Sequence, residues 1–334
     1  MSDRTNALHQ WLAQLGYRDY RLTPASEDAS FRSYLRLETG TESLIVMDAP
    51  PEHEPCDRFI AVAGMLRDAG LSAPEILASN LDDGFLLLTD FGAEDYLPNL
   101  DQQSRELLYG DALESMLTMQ SRIDPKSLPP YDEALLRREM GLFHDWFLGE
   151  LLGIELDDAQ EAAWERLQQT LIANFFDQPQ VFVHRDYHSR NLMVLSTGNP
   201  GILDFQDAVR GPVTYDLVSL LRDCYIDWPI AVVEGLMRDY HERACEAGVT
   251  NVDLDGFRRW FNLTGIQRQL KAVGIFSRLK IRDGKARYLG DIPRTLGYIE
   301  QVAPGEASMC ELLQLFEQWQ LRERFQKRLS AEPS

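Results

Sequence analysis

The sequence predicts an α+β protein in two lobes: a small antiparallel β-sheet with one helix, then a larger, mainly helical lobe. Three observations lead there. At roughly 150 residues per domain, a chain of 334 residues makes two domains. Before residue 95 the apolar runs are short and strand-like, and after residue 100 they recur at helical spacing. The expected domains are residues 1–95 and 96–334.

In the first lobe Tyr17–Leu22, Arg32–Glu38, Leu44–Asp48, Glu75–Ala78 and Phe85–Thr89 read as strands, being β-rich, alternating or compactly apolar. Gly40 turns the second into the third. Phe59, Val62, Ala63, Leu66 and Ala69 repeat with a helical period, and Gly70 stops that helix. The chain bends near Phe91–Pro98, where Gly92 and Pro98 punctuate it.

Helical stripes follow. Leu107, Leu108, Ala112, Met116 and Met119 form one, Leu135, Leu142, Trp146 and Leu148 contribute to a second, and Trp164, Leu167, Leu171 and Phe175 form a third. Asp124–Pro130 is a proline-rich loop. Two β-like runs, Leu192–Leu195 and Ile202–Phe205, interrupt the helices, which return over Trp228–Ala247, Leu254–Leu279 and Glu311–Leu329. Trp146 and Trp260 read as core, and Arg282-Asp283-Gly284-Lys285 as a helix-ending turn.

Composition narrows the function. A formal charge of −20 argues against nucleic acid as a partner, because phosphate contacts need a basic footprint. The four cysteines, Cys56, Cys224, Cys245 and Cys310, contain no C-x-x-C pair and read as reduced, mostly buried thiols. MSDRTNALHQ lacks the apolar stretch of a secretory leader, and no apolar run approaches a membrane span. The expected setting is cytoplasmic, with no membrane and no obligate protein partner.

Chemistry concentrates between Val181 and Asp216, in VFVHRDYHSRNLMV and GILDFQDAVRGPVTYD. Asp186, Asn191, Asp204 and Asp207 flank two short hydrophobic runs, where side chains can converge at a sheet edge. Converging carboxylate and amide oxygens suit Mg²⁺, a hard ion. An aspartate outside that set can take the proton of an attacking hydroxyl. His184 and His188 are spaced i, i+4, but a zinc helix of the H-E-x-x-H type needs a glutamate where Arg185 stands. His184 reads as a structural histidine bonded to backbone.

The spacing sharpens this. His184-Arg185-Asp186 and Asn191 fit H-R-D-x-x-x-x-N, and Asp204-Phe205-Gln206 stands where kinases carry D-F-G. Gly211-Pro212 then precedes Tyr215-Asp216-Leu217. With these motifs the chain resembles the protein-kinase-like superfamily, and within it the aminoglycoside phosphotransferase branch. No Ala-Pro-Glu element follows Asp204, which disfavours a protein substrate. MDAPPE (Met47–Glu52), the TDFG around Asp90, Glu139 with Asp145-Trp146-Phe147, and Arg268–Lys285 are similar to bacterial cell-wall-recycling kinases, which phosphorylate the anomeric hydroxyl of N-acetylmuramate and N-acetylglucosamine.

The resemblance implies a bilobal protein-kinase-like fold using ATP and Mg²⁺ on a small amino sugar. It implies Asp186 as base, Asn191 and Asp204 as metal ligands, Asp207 as an outer partner and Asp216 as a brace for the catalytic loop. The backbone of Leu88, Thr89 and Asp90 would read adenine. Kinases pair a strand lysine with a helix glutamate, yet Met47 and Phe59 occupy those places here, and Ser26–Ser30 is not a glycine-rich loop. Arg32 is the expected substitute, because its guanidinium fork binds phosphate. Glu139, Asp145, Arg268 and Lys271 are the candidates for the sugar, although Glu139 and Arg268 also fit ordinary helix-surface charges. Two rivals are an aminoglycoside or other hydroxylated small molecule as substrate, and a nucleotide-binding pseudokinase without catalysis.

Overall fold

The computed structural model describes residues 3–26 and 32–330, so most of the Ser26–Ser30 loop lies outside the described residues. In chain order the elements are α1 (Asp3–Gln14), β1 (Arg21–Ser26), β2 (Ser33–Glu38), β3 (Ser43–Asp48), α2 (Asp57–Asp68), β4 (Ile76–Asn80), β5 (Phe85–Thr89), α3 (Tyr96–Asn99) and α4 (Arg105–Arg122). Then come α5 (Glu133–Leu142), a π-helical stretch (Phe143–Leu151), α6 (Asp158–Phe176), β6 (Gln180–Val183), β7 (Leu192–Met193), β8 (Gly201–Ile202), β9 (Val209–Pro212) and α7 (Tyr215–Leu221). The chain continues through α8 (Ile230–Glu246), α9 (Leu254–Asp283), α10 (Ile292–Val302), α11 (Cys310–Gln318) and α12 (Leu321–Ser330).

The first compact unit joins Met1–Thr118 to Arg190–Asp207, and the second joins Met119–Ser189 to Ala208–Ser334. The first unit thus runs past residue 95 and takes in β7 and β8. Backbone pairing explains this: Ser72 bridges Gly201, and Asp95 bridges Met193.

The first unit holds an antiparallel sheet in the order β1-β2-β3-β5-β4. Leu37 pairs with Leu44, and Val46 pairs with Leu87. These residues and Phe85 form a buried cluster with Leu8, Trp11 and Leu12 of α1. Met47, Leu86 and Leu88 are buried on the alternate pleat positions, so the central strands are covered on both faces. The first strand begins later than its propensity suggests, at Arg21 rather than Tyr17. Helix α1 was not expected, although Leu8, Trp11 and Leu12 carry its i, i+3, i+4 signal.

In the second unit α9 is the central helix. Residues 263–271 are buried in an unbroken run, as befits a helix enclosed on all sides. It packs against α5, the π-helical stretch, α6, α7 and α10. Gly284 ends it in the left-handed conformation at φ +69°, as the RDGK turn implies. A Cβ on Gly274 would lie 2.3 Å from the Leu142 carbonyl carbon and 2.5 Å from the Phe143 nitrogen. Backbone cannot give way cheaply, so Gly274→Ala is expected to destabilise the protein by about 2 kcal/mol or more. Chemical denaturation measures this, and a loss under 0.5 kcal/mol, roughly the effect of a neutral surface change, would refute the close packing.

Several expectations are corrected. Leu107 is 68% exposed and lies off the α4 core stripe. Trp146 and Trp260 are half-buried, and the Trp260 indole reaches Asp177 at 3.2 Å. The run Glu311–Leu329 breaks into α11 and α12 because Gln320 adopts φ +49°. Cys56 and Cys224 are buried free thiols, but Cys245 and Cys310 are exposed. No helix among the described residues is long and apolar enough to cross a membrane.

Candidate active site

In the second unit, β6 pairs with β9 and delivers the chain into the His184–Ser189 loop. Two buried carboxylates fix that loop. Asp216, near the start of α7, accepts the His184 N–H at 2.7 Å and the Arg185 N–H at 3.0 Å. Asp223, just beyond the same helix, accepts the Ser189 N–H at 3.0 Å and the Ser189 hydroxyl at 2.5 Å. His184 is fully buried, stacks edge-on with Tyr187, and accepts the Asp186 N–H on Nδ1 at 3.3 Å. Arg185 takes the strained value φ +79°, which the clamped loop imposes.

Around Asp186 lies a buried ionic group. Glu139 of α5 accepts from Arg185 at 2.6 Å, pairs with Lys271 of α9 at 3.1 Å, and takes the Tyr131 hydroxyl hydrogen. Lys271 also donates to the Tyr215 hydroxyl at 3.1 Å. Burial would raise the Asp186 carboxyl, but Lys271, His188, Arg185 and Arg268 outweigh it and hold it at about 2. Asp186 is therefore ionised at neutral pH. Glu139 is likewise lowered: Lys271 and Arg185 overcome its burial. Arg268 and Lys271 are buried too. Of the sugar candidates, then, Glu139, Arg268 and Lys271 share one neighbourhood with Asp186. Asp145 is exposed and pairs instead with His144 at 2.8 Å.

Burial pushes the Asp216 carboxyl up to about 7, against the pull of its two backbone hydrogen bonds. A free aspartate titrates near pH 4, so between about pH 4 and pH 7 the native state binds the extra proton and stability falls as pH rises. His144 adds the same sign. Burial opposes its charge, but the hydrogen bonds it donates to Asp145 and Glu161 win and raise it. The lowered Asp186 and Glu139 contribute the opposite slope, lost only below about pH 4. The melting temperature is therefore expected to peak near pH 5 and to fall toward pH 8. A flat or rising profile over that range would contradict it.

In the first unit Asp204 follows β8 at φ +60°, another strained non-glycine position. Its Oδ2 accepts from the Asn191 amide at 3.4 Å and its Oδ1 from the Gln206 amide at 2.8 Å. Phe205 turns away and stacks on Phe59 at 4.8 Å. The kinase lysine and glutamate positions are thus apolar and buried, with Met47 at 0% and Phe59 at 4% exposure. Arg32 pairs with Glu54 at 3.3 Å. Burial works against its charge, yet Tyr34, Glu54, Asp204 and Asp207 raise it further. Asp207 lies 4.0 Å from Arg58 and is half-exposed.

These residues fit a hard divalent ion. Asp204 and Asn191 bring carboxylate and amide groups together, and Gln206 Oε1 is buried with no hydrogen-bond partner among the described residues. Oxygen donors of this kind suit Mg²⁺, which keeps water and phosphate in its remaining positions. No group of three His, Cys, Asp or Glu residues forms a metal cage among the described residues.

Leu88 is paired on both sides, with Ile45 and Ile76. The Thr89 N–H is taken by the Glu75 carbonyl at 3.1 Å. The Asp90 carboxylate is held by Arg36 at 2.7 Å, by Ser43 at 2.5 Å and by the Gly92 N–H at 2.9 Å. Two residues here were not legible in advance. Asp223 has no motif around it, though it stands seven residues beyond Asp216, two helical turns on. Gln206 occupies the place of the D-F-G glycine.

The sequence model described as the phosphotransferase enzyme family matches residues 21–251. An N-acetylmuramate/N-acetylglucosamine kinase of Pseudomonas aeruginosa is 47% identical over 295 residues, covering 88% of this chain and 87% of that protein. Its counterpart in Pseudomonas putida is 46% identical over 300 residues, covering 90% and 88%. Among solved structures, an ADP-bound aminoglycoside phosphotransferase superposes with a TM-score of 0.59 over 88% of this chain and 97% of that one. At 13% identity this likeness shows the protein-kinase-like fold alone.

Proposed function

The chain belongs to the phosphotransferase enzyme family, and from that premise we propose that it transfers the γ-phosphate of ATP to the anomeric hydroxyl of N-acetylmuramate and N-acetylglucosamine. The identity of 46–47% across nearly the whole of two kinases named for these sugars carries the reading. The ionised Asp186 supports it from chemistry, and speaks against a pseudokinase.

Asp186 accepts the hydrogen bond of the sugar hydroxyl and orients it toward phosphorus. A carboxylate held near 2 is a weak base, so the proton moves late, once bonding to phosphorus has acidified the hydroxyl. Asn191 and Asp204, with Gln206 beside them, would hold Mg²⁺, and Asp207 lies outside that set. When bound, Mg²⁺ neutralises phosphate charge and orients the γ-phosphoryl group. The backbone of Leu88–Asp90 would bind adenine, through groups other than the Thr89 N–H. Glu139, Lys271 and Arg268 would border the sugar, while Asp145 would reach it only from an exposed position. An ATP-using sugar kinase belongs in the cytoplasm.

Arg32 would grip the nucleotide phosphates in place of the absent lysine, since it already faces Asp204 and Asp207. Arg32→Ala is expected to weaken ATP binding about tenfold to a hundredfold, the scale of one lost charge-assisted contact. Calorimetric titration with ATP and Mg²⁺ checks this, and unchanged affinity would remove Arg32 from the site.

A coupled ADP-release assay tests the function. With ATP and Mg²⁺, both N-acetyl sugars should be turned over, and glucose, kanamycin and choline should not. Turnover with kanamycin or choline alone would overturn the sugar assignment.

A further inference from the structure

The buried cations beside Asp186 are not all held in direct ion pairs. Arg185 and Lys271 share the Glu139 carboxylate, at 2.6 and 3.1 Å. Arg268 lies one turn before Lys271 on α9 and is 6% exposed. Among the described residues no carboxylate lies within ion-pairing distance of it, and its one hydrogen-bond acceptor is the Cys224 sulfur at 3.8 Å. The aspartates it feels at longer range are engaged elsewhere. Asp223 is occupied by Ser189 and Tyr225, and Asp186 faces the reacting hydroxyl in the proposed reaction. Cys224, Tyr215, Asp186 and Asp223 favour its charge, but a guanidinium has five donors and no acceptor, and with a single long bond to sulfur Arg268 keeps donors for an incoming anion.

The geometry points to Arg268 as the residue that receives the lactyl carboxylate of N-acetylmuramate, and so as the determinant of preference between the two sugars. This assignment rests on the substrate reading above. N-acetylmuramate and N-acetylglucosamine differ by one lactyl ether bearing a carboxylate, so an enzyme using both needs one cation beyond those serving the shared groups. Of the two buried α9 cations, Lys271 is already in a direct ion pair and Arg268 is not. The guanidinium fork also fits a carboxylate through two parallel hydrogen bonds. Arg268 acts electrostatically on Asp186, which places a carboxylate bound there in the same neighbourhood as the reacting hydroxyl.

The test is the ratio of kcat/KM for N-acetylmuramate to that for N-acetylglucosamine, in which any loss common to both sugars cancels. In Arg268→Gln the ratio is expected to fall about 30- to 100-fold, mostly through KM for the acidic sugar, and Arg268→Lys should recover part of it. Lys271→Met should leave the ratio near that of the wild type. The wild-type enzyme supplies a measurement free of folding effects: the carboxamide of N-acetylmuramate should lose a similar factor against the acid. An unchanged ratio in Arg268→Gln would overturn the assignment, as would equal use of acid and amide. So would a change confined to KM for ATP, which would make Arg268 a phosphate contact. Failure of the wild type to use either sugar would defeat the substrate reading itself, and Arg268 with it, a result distinct from all of these.

Discussion

Asp186→Asn is expected to lower kcat by about a thousandfold while ATP affinity stays within about threefold of wild type. The substitution keeps the shape of the side chain and removes its charge. Asparagine can still touch the sugar hydroxyl but cannot receive its proton. The loss should appear equally in kcat and kcat/KM, because the interaction strengthens only as the hydroxyl attacks. The Asp216 and Asp223 clamps on the loop are independent of the Asp186 side chain, so the loop should hold its place. Steady-state kinetics beside calorimetry reads both quantities. Turnover within tenfold of wild type would remove Asp186 as the proton acceptor.

The largest effect on stability is expected from Lys271→Met. Glu139 is 4% exposed and answers two cations, Lys271 and Arg185. Removing one partner of a buried pair leaves charge without compensation, a loss of about 3–5 kcal/mol. Methionine preserves most of the apolar stem, so the change isolates the charge. The double variant with Glu139→Gln should cost less than the sum of the two single changes, because the members are coupled. Lys271 also leads the cations that hold Asp186 down, so the surviving enzyme should show Asp186 titrating at higher pH. Denaturant unfolding of the four proteins gives the cycle. Additive losses would mean that the pair does not act as a unit.

The candidate catalytic segment is legible because the chemistry proposed for it depends on spacing along the chain. Asp186, Asn191, Asp204 and Asp216 sit in short motifs whose geometry is local. The ionic group around Glu139 was less legible. Glu139 is far in sequence from Arg268 and Lys271, and charges on helices usually face water. Glu139 is buried because it neutralises both Lys271 and Arg185, a residue of the His184–Ser189 loop, and periodicity carries no trace of that. Asp223 carries no local signature, because its partner Ser189 lies far back along the chain. The membership of residues 190–207 in the first unit depends on bridges from Ser72 and Asp95, which are long-range and have no local signature. Helix α1 was legible in principle, since Leu8, Trp11 and Leu12 mark its buried side.

Phosphorus NMR of the product made from N-acetylmuramate, ATP and Mg²⁺ identifies the hydroxyl that receives the phosphate. A sugar phosphate whose phosphorus couples to the anomeric proton is expected, formed one for one with ADP and absent with Asp186→Asn. A phosphate on any other hydroxyl, or ADP release without a sugar phosphate, would contradict it.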